Sequence, residues 1–165
     1  MPLTSCLRLA ALAGIVAGTV ATLAQLLFWW LASVPLPDVL YRDTRLAAAM
    51  VLPHGIIALD QLFQQPGLLI WVAATVVHFV LSVVYAALFI AMAIRLRIGA
   101  AALLPAGMAF GMLLYGINMY GFTFLMPWFF LVRDQITLAA HVVFGLSLGG
   151  AVWANTRLKV PLLPI

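Results

Sequence analysis

Charge is what this chain has least of: charged residues make up 7% of its 165 positions, and only four of them are acidic. A soluble domain carries roughly 25% charged residues, enough to cover its surface. With 67% hydrophobic residues and a mean hydropathy of +1.21 this chain cannot do so, and an integral membrane protein is expected. Cysteine is nearly absent as well. Cys6 stands alone, which excludes an internal disulfide and a thiolate metal site. The basic residues are scattered, so the net charge of +4 is read as setting topology, with no nucleic-acid partner. Also missing are a phosphate-binding glycine loop, a metalloprotease helix and a nucleotide fingerprint, and Ser82 lacks the Gly-x-Ser-x-Gly context of a hydrolase nucleophile. No catalytic residue is expected.

What the sequence does contain is four apolar runs, at about residues 9–33, 68–94, 101–120 and 135–155. Each has the ~20 residues that a membrane-crossing helix needs. The expected fold is all-α, a four-transmembrane-helix bundle forming a single membrane domain over 1–165, with the lipid bilayer as its first partner. Phe28-Trp29-Trp30 and the aromatic stretch Phe122 to Phe130 suit the membrane–water boundary. Arg8, Arg95, Arg97, Arg157 and Lys159 fall on one side with no acidic residue, whereas Asp38, Asp43, Asp60 and Asp134 fall on the other with Arg42, Arg45 and Arg133. The positive-inside rule then places both termini in the cytoplasm.

The link at 34–67 is too interrupted by charge to cross the bilayer and is read as an interfacial segment. Asp38 is expected to cap a helix with Leu40, Ala47, Met50 and Val51 on its apolar side, and Pro53 to end it. Gly55 to Phe63 is read as a second short helix, with His54 a loop residue before it. Asp43 and Asp134 are placed at the N-termini of helical segments.

Polar residues inside the spans are the candidates for function, since they are costly in lipid and turn toward protein or an enclosed cavity. Thr75, His78, Ser82 and Tyr85 follow one another at spacings of 3, 4 and 3, a stripe on one helix face. Gly14, Gly18, Thr22 and Gln25 of the first span and Gly107, Gly111, Tyr115 and Asn118 of the third share the spacing 4, 4, 3. The fourth span carries Thr137, His141, Gly145 and Gly149 at spacing 4. A shift of 93 residues superimposes the first and third stripes, and with a drift of two Arg42-Asp43 meets Arg133-Asp134. The halves therefore read as parallel internal repeats. Counted at ~1.5 Å per residue, Gln25, His78, Asn118 and His141 lie roughly 10–16 Å beneath the outer surface, in one layer.

Three readings of that layer stay open. Amides and imidazoles can hold four helices in register, as in a non-enzymatic accessory or scaffold subunit of a larger complex or a homo-oligomer. His78 and His141 can instead ligate a b-type haem, with Arg42 and Arg133 facing its propionates. A third reading makes the histidines, with Tyr85 and Tyr115, a path for a proton or small solute in an oligomeric transporter. A lone metal lacks a thiolate or carboxylate in that layer.

The segments AGIVAGTVATLAQ (13–25), RDTRLAAAMV (42–51), HFVLSVVY (78–85), NMYGFTFLMPWF (118–129) and RDQITLAAHVVFG (133–145) resemble those of a family of short bacterial four-span membrane proteins of unknown function, often labelled sodium:proline symporter. The resemblance covers most of the chain and implies the four-span fold. It brings no catalytic residues, and the ten or more helices of such symporters are not present here, so transport is not carried over.

Overall fold

The computed structural model describes residues 3–157; Lys159 and the rest of the tail lie outside them. Five α-helices form, with no strand among the described residues: α1 (Leu3–Leu31), α2 (Leu36–Ala48), α3 (Leu68–Arg95), α4 (Leu103–Gly116) and α5 (Gln135–Arg157). Four helical stretches are long and apolar enough to cross a membrane, Thr4–Leu31, Leu68–Arg95, Ala100–Phe124 and Gln135–Thr156. The chain is thus an all-helical four-span bundle, as its hydropathy predicts. Leu12, Val16, Leu23 and Leu27 of α1 and Val72, Val76, Val80 and Leu88 of α3 stay exposed. Helices apolar on every side suit lipid on the outside and protein on the inside.

Between helices the small residues decide how close the backbones come. A Cβ on Gly14 would lie 2.7 Å from the Ser82 carbonyl oxygen, so α1 and α3 touch there backbone to backbone, and one on Gly18 would lie 2.7 Å from the Ser82 hydroxyl. Gly107 and Gly111 meet the carbonyls of Gly145 and His141, and Gly149 meets that of Leu103. These contacts run antiparallel, 14 opposite 82 and 111 opposite 141. α1 also packs on α5, while α3 and α4 meet more sparsely. Ala10, Ala13, Ala17, Phe89, Leu103 and Leu148 lie in one buried core at the end of the bundle where α3 finishes and α4 begins. In lipid such close packing replaces the missing hydrophobic drive between helices.

α1 and α3 end alike. Ser33 and Arg97 take positive φ, 55° and 50°, and the following amides reach back five residues, Val34 N–H to Trp29 O and Ile98 N–H to Ala93 O. This left-handed cap satisfies carbonyls at the helix end and turns the chain sharply. The turn after α3 uses Arg97 for this, not Gly99, whose φ is −66°.

The link departs from its reading in three ways. α2 starts with Pro35 as its N-cap and Pro37 in its first turn; Asp38 lies inside that turn without a capping bond. Its buried side consists of Val39, Thr44, Arg45, Leu46 and Ala48, whereas Leu40, Ala47 and Met50 are half-buried and Val51 is exposed. The helix stops at Ala48, before Pro53, and only a short 3₁₀ turn, His54–Ile57, forms where a longer helix was expected. The third span also changes character. After Gly116 it widens into a π-helical segment, Ile117–Gly121, then tightens into 3₁₀ turns at Phe122–Phe124 and Pro127–Val132.

Candidate functional site

At Gly14 and Gly18 α1 and α3 are tight; beyond Gly18 the side chains facing α3 grow to Thr22, which meets His78, and Gln25. Two cavities lie there. The first, about 210 Å³, is walled by Leu46 of α2 and Met50 just after it, by Met119, Phe122, Phe129 and Val132, and by Gln25, Asp43, His78, Asn118, Thr137 and His141. The second, about 170 Å³, adds Thr22, Ser82 and Tyr85 and ends on Leu114 and Phe144, which belong to the buried core. Gln25, His78, Asn118 and His141 line both cavities.

One hydrogen-bonded chain crosses from α3 to α5. The Tyr85 hydroxyl donates to Asn118 Oδ1 at 2.6 Å, and Asn118 Nδ2 lies 3.2 Å from His141 Nε2. His141 Nδ1 sits 2.8 Å from the Thr137 carbonyl, which can only accept. So Nδ1 carries the proton and Nε2 accepts from the amide. The π segment holds Asn118 in this position. Its freed Met119 carbonyl accepts from Arg133 Nε, and Arg133 Nη2 donates to Thr123 Oγ1 at 2.6 Å with the guanidinium 4.3 Å from the Tyr120 ring centre. π segments of this kind recur at functional sites.

His78 is held differently. Its Nε2 lies 3.3 Å from Thr22 Oγ1, whose own proton goes to the Gly18 carbonyl at 3.0 Å, so Nε2 is the donor. Nδ1 carries no hydrogen bond among the described residues. Gln25 does not reach His78; its amide nitrogen points to Asp43 Oδ2 at 3.4 Å, while Arg42 Nε holds Oδ1 at 2.8 Å. Burial raises the Asp43 carboxyl to about 6, against the opposing pull of Arg42. A buried carboxylate therefore does line the cavity. Asp43 sits in the middle of α2 rather than at a helix start, whereas Asp134 does cap α5, its Oδ1 accepting from Thr137 N at 2.7 Å.

Of the remaining candidates, Ser82 is buried and donates to the His78 carbonyl at 2.8 Å. Tyr115 lies outside both cavities, edge-on to His141 with ring centres 5.6 Å apart. Thr75 does not join the others and is exposed on α3, because α2 covers the neighbouring side of Trp71, Ala74 and Val77. Thr137 is the residue whose role was missed. Only 5% exposed, it borders the first cavity, and its hydroxyl is itself buried without a hydrogen-bond partner.

A bis-histidine haem would have to displace the bonds of His141, both of whose nitrogens are engaged. Arg42 Nε holds Asp43 while its Nη2 is buried without a partner, and Arg133 is bonded to Met119 and Thr123. No cluster of three His, Cys, Asp or Glu side chains fit to hold a metal occurs among the described residues.

The class of protein is a multi-pass, all-helical membrane protein of four spans. Comparison of the chain with family models, with curated proteins and with solved structures gives no match.

Proposed function

We propose that this is a small non-enzymatic binding subunit of the bacterial inner membrane, both termini cytoplasmic, that holds a small ligand in a blind polar pocket in its outer half. The observation that carries this reading is the cavity itself, about 210 Å³, on which Gln25, Asp43, His78, Asn118 and His141 converge from α1, α2, α3, the π segment and α5. A layer serving only to hold helices in register has no need of such a space. A through-path for protons or solutes would need polar groups at the other end, where Phe89, Leu103, Phe144 and Leu148 fill the interior. α1 packs on α3 through glycines as α4 does on α5, in keeping with the internal repeat, whereas the α1–α5 packing has no equal between α4 and α3; that sparse side leaves room for a partner in a larger complex.

Thiol labelling in spheroplasts tests it. With Cys6→Ser as background, Met50→Cys in the pocket wall reacts with a small, membrane-impermeant methanethiosulfonate added outside, and Leu148→Cys in the core does not. Reaction at neither position returns the layer to packing alone; reaction at both makes it a through-path.

A further inference from the structure

Among the described residues α2 is the α-helix that lies outside the four spans, and it carries one side of the pocket: Asp43, Leu46 and Ala47 line the first cavity, with Met50 just after the helix end. It rests mainly on α3 and touches α1 sparsely. Both of its ends are suited to act as hinges, which are loop or element-terminal residues able to absorb a change in φ and ψ. Ser33, at φ 55°, and Val34 separate α2 from α1. Beyond Ala48 the chain runs through turns and the short 3₁₀ turn His54–Ile57 before α3 starts at Leu68.

At its boundary with α1 this helix places an incomplete ion pair. Arg42 Nε holds Asp43 Oδ1 at 2.8 Å, while Arg42 Nη2 is buried without a partner and the Gln25 amide reaches Asp43 Oδ2 only at 3.4 Å. A buried cationic nitrogen left unbonded costs free energy, and so does a buried carboxylate short of donors. Both costs fall when α2 moves off α1 and water reaches the pair. In the docked position burial outweighs the pull of Arg42 and raises the Asp43 carboxyl from 3.8 to about 6. The other charges nearby leave that balance in place. Asp134 repels the ionised form, Arg133 is bonded to Met119 and Thr123, and Arg45 points to the Gln64 carbonyl inside the same link. His78 of α3 and His141 of α5 line the same cavity, His141 with both nitrogens bonded.

We propose that α2 is a hinged wall of the pocket, docked while Asp43 is protonated and swung away from α1 when Asp43 is ionised, so that outside pH regulates entry of the ligand. The sign follows from burial. A swung-out carboxyl is hydrated and returns toward 3.8, so undocking releases a proton between 3.8 and about 6 and gains nothing further above. Across that window the ratio of swung-out to docked protein rises by up to about a hundredfold.

This inference rests on the pocket reading, and the test separates the two. Val51→Cys, exposed just after α2, and Gln135→Cys, exposed at the start of α5, are spin-labelled in the Cys6→Ser background. Their separation is measured in nanodiscs by double electron–electron resonance from pH 4 to pH 8. A second population at a different distance is expected to grow between pH 4 and 6 and to stay constant above. Asp43→Asn, which stays neutral, keeps the docked distance at every pH, and His78→Gln keeps the response. A distance independent of pH, or a response that survives Asp43→Asn or is lost in His78→Gln, overturns the hinge. If Met50→Cys is then still labelled from outside, the pocket stands without it. A pH-dependent distance with Met50→Cys unlabelled at every pH leaves α2 moving over no pocket, and both readings fall.

Discussion

At the scale of single residues, Asp43 carries the clearest consequence. Its carboxyl is buried in the folded chain and raised from 3.8 to about 6, so between those values the fold binds more protons than the unfolded chain does. Stability therefore falls as pH rises through that window and is flat above it, a loss on the order of 3 kcal/mol. Asp43→Asn is expected to remove the slope between pH 4 and 6, read by thermal unfolding in detergent; a variant with the wild-type slope would place the titrating group elsewhere. The sequence marks this residue only as half of an Arg-Asp pair repeated at 133–134. Nothing in the pair distinguishes the aspartate that caps a helix, Asp134, from the one turned into a cavity. That difference comes from α2 folding back over the bundle.

At the scale of elements, the glycine stripes and the irregular end of the third span behave differently. The stripes were legible because small residues at spacing four place a bare backbone strip on one helix face, and lipid offers nothing else to bring helices together. Gly145→Val should cost at least ~2 kcal/mol by forcing α4 and α5 apart, since the Gly107 carbonyl occupies that space. Gly116→Ala, with nothing within 4 Å of the added methyl, should be neutral or slightly stabilising. Equal losses in an SDS-unfolding titration would show that the close α4–α5 contact is not what holds the pair. The π segment, by contrast, has no such pattern. Ile117–Gly121 reads as helix by hydropathy, and the extra residue in its turn is retained by the Arg133 bond to Met119, a partner 14 positions away.

At the scale of the whole molecule, the histidines are separated in role although they border the same space. His141 belongs to the chain from Tyr85 through Asn118, and His78 to Thr22. Protein purified from haem-replete cells is therefore expected to show no Soret band, oxidised or dithionite-reduced. A Soret band with sharp reduced bands, lost in both His78→Ala and His141→Ala, would make the pocket a haem site. At the α2 end of the bundle a second apolar cluster packs, Leu46, Leu62, Met119 and Val132, with Trp128 Nε1 donating to the Leu46 carbonyl at 3.2 Å. This cluster joins α2 to the segment before α5 and supplies part of the pocket wall.

The sequence by itself determined the four spans, the fold class and the faces on which helices approach, because moving an apolar run into lipid is a sum over neighbouring residues. Gln25, His78, Asn118 and His141 were likewise legible as inward-facing, since polar groups avoid hydrocarbon. Which of their atoms meet was decided only in three dimensions. A rotation of one residue about a helix is ~100°, and the π segment, the close approach of α1 to α3 at Gly14 and Gly18 and the fold of α2 set those rotations through contacts distant in sequence. Hence Thr75 was lost from the stripe, Gln25 reached Asp43 instead of His78, and Thr137 was left with a buried hydroxyl that has no partner.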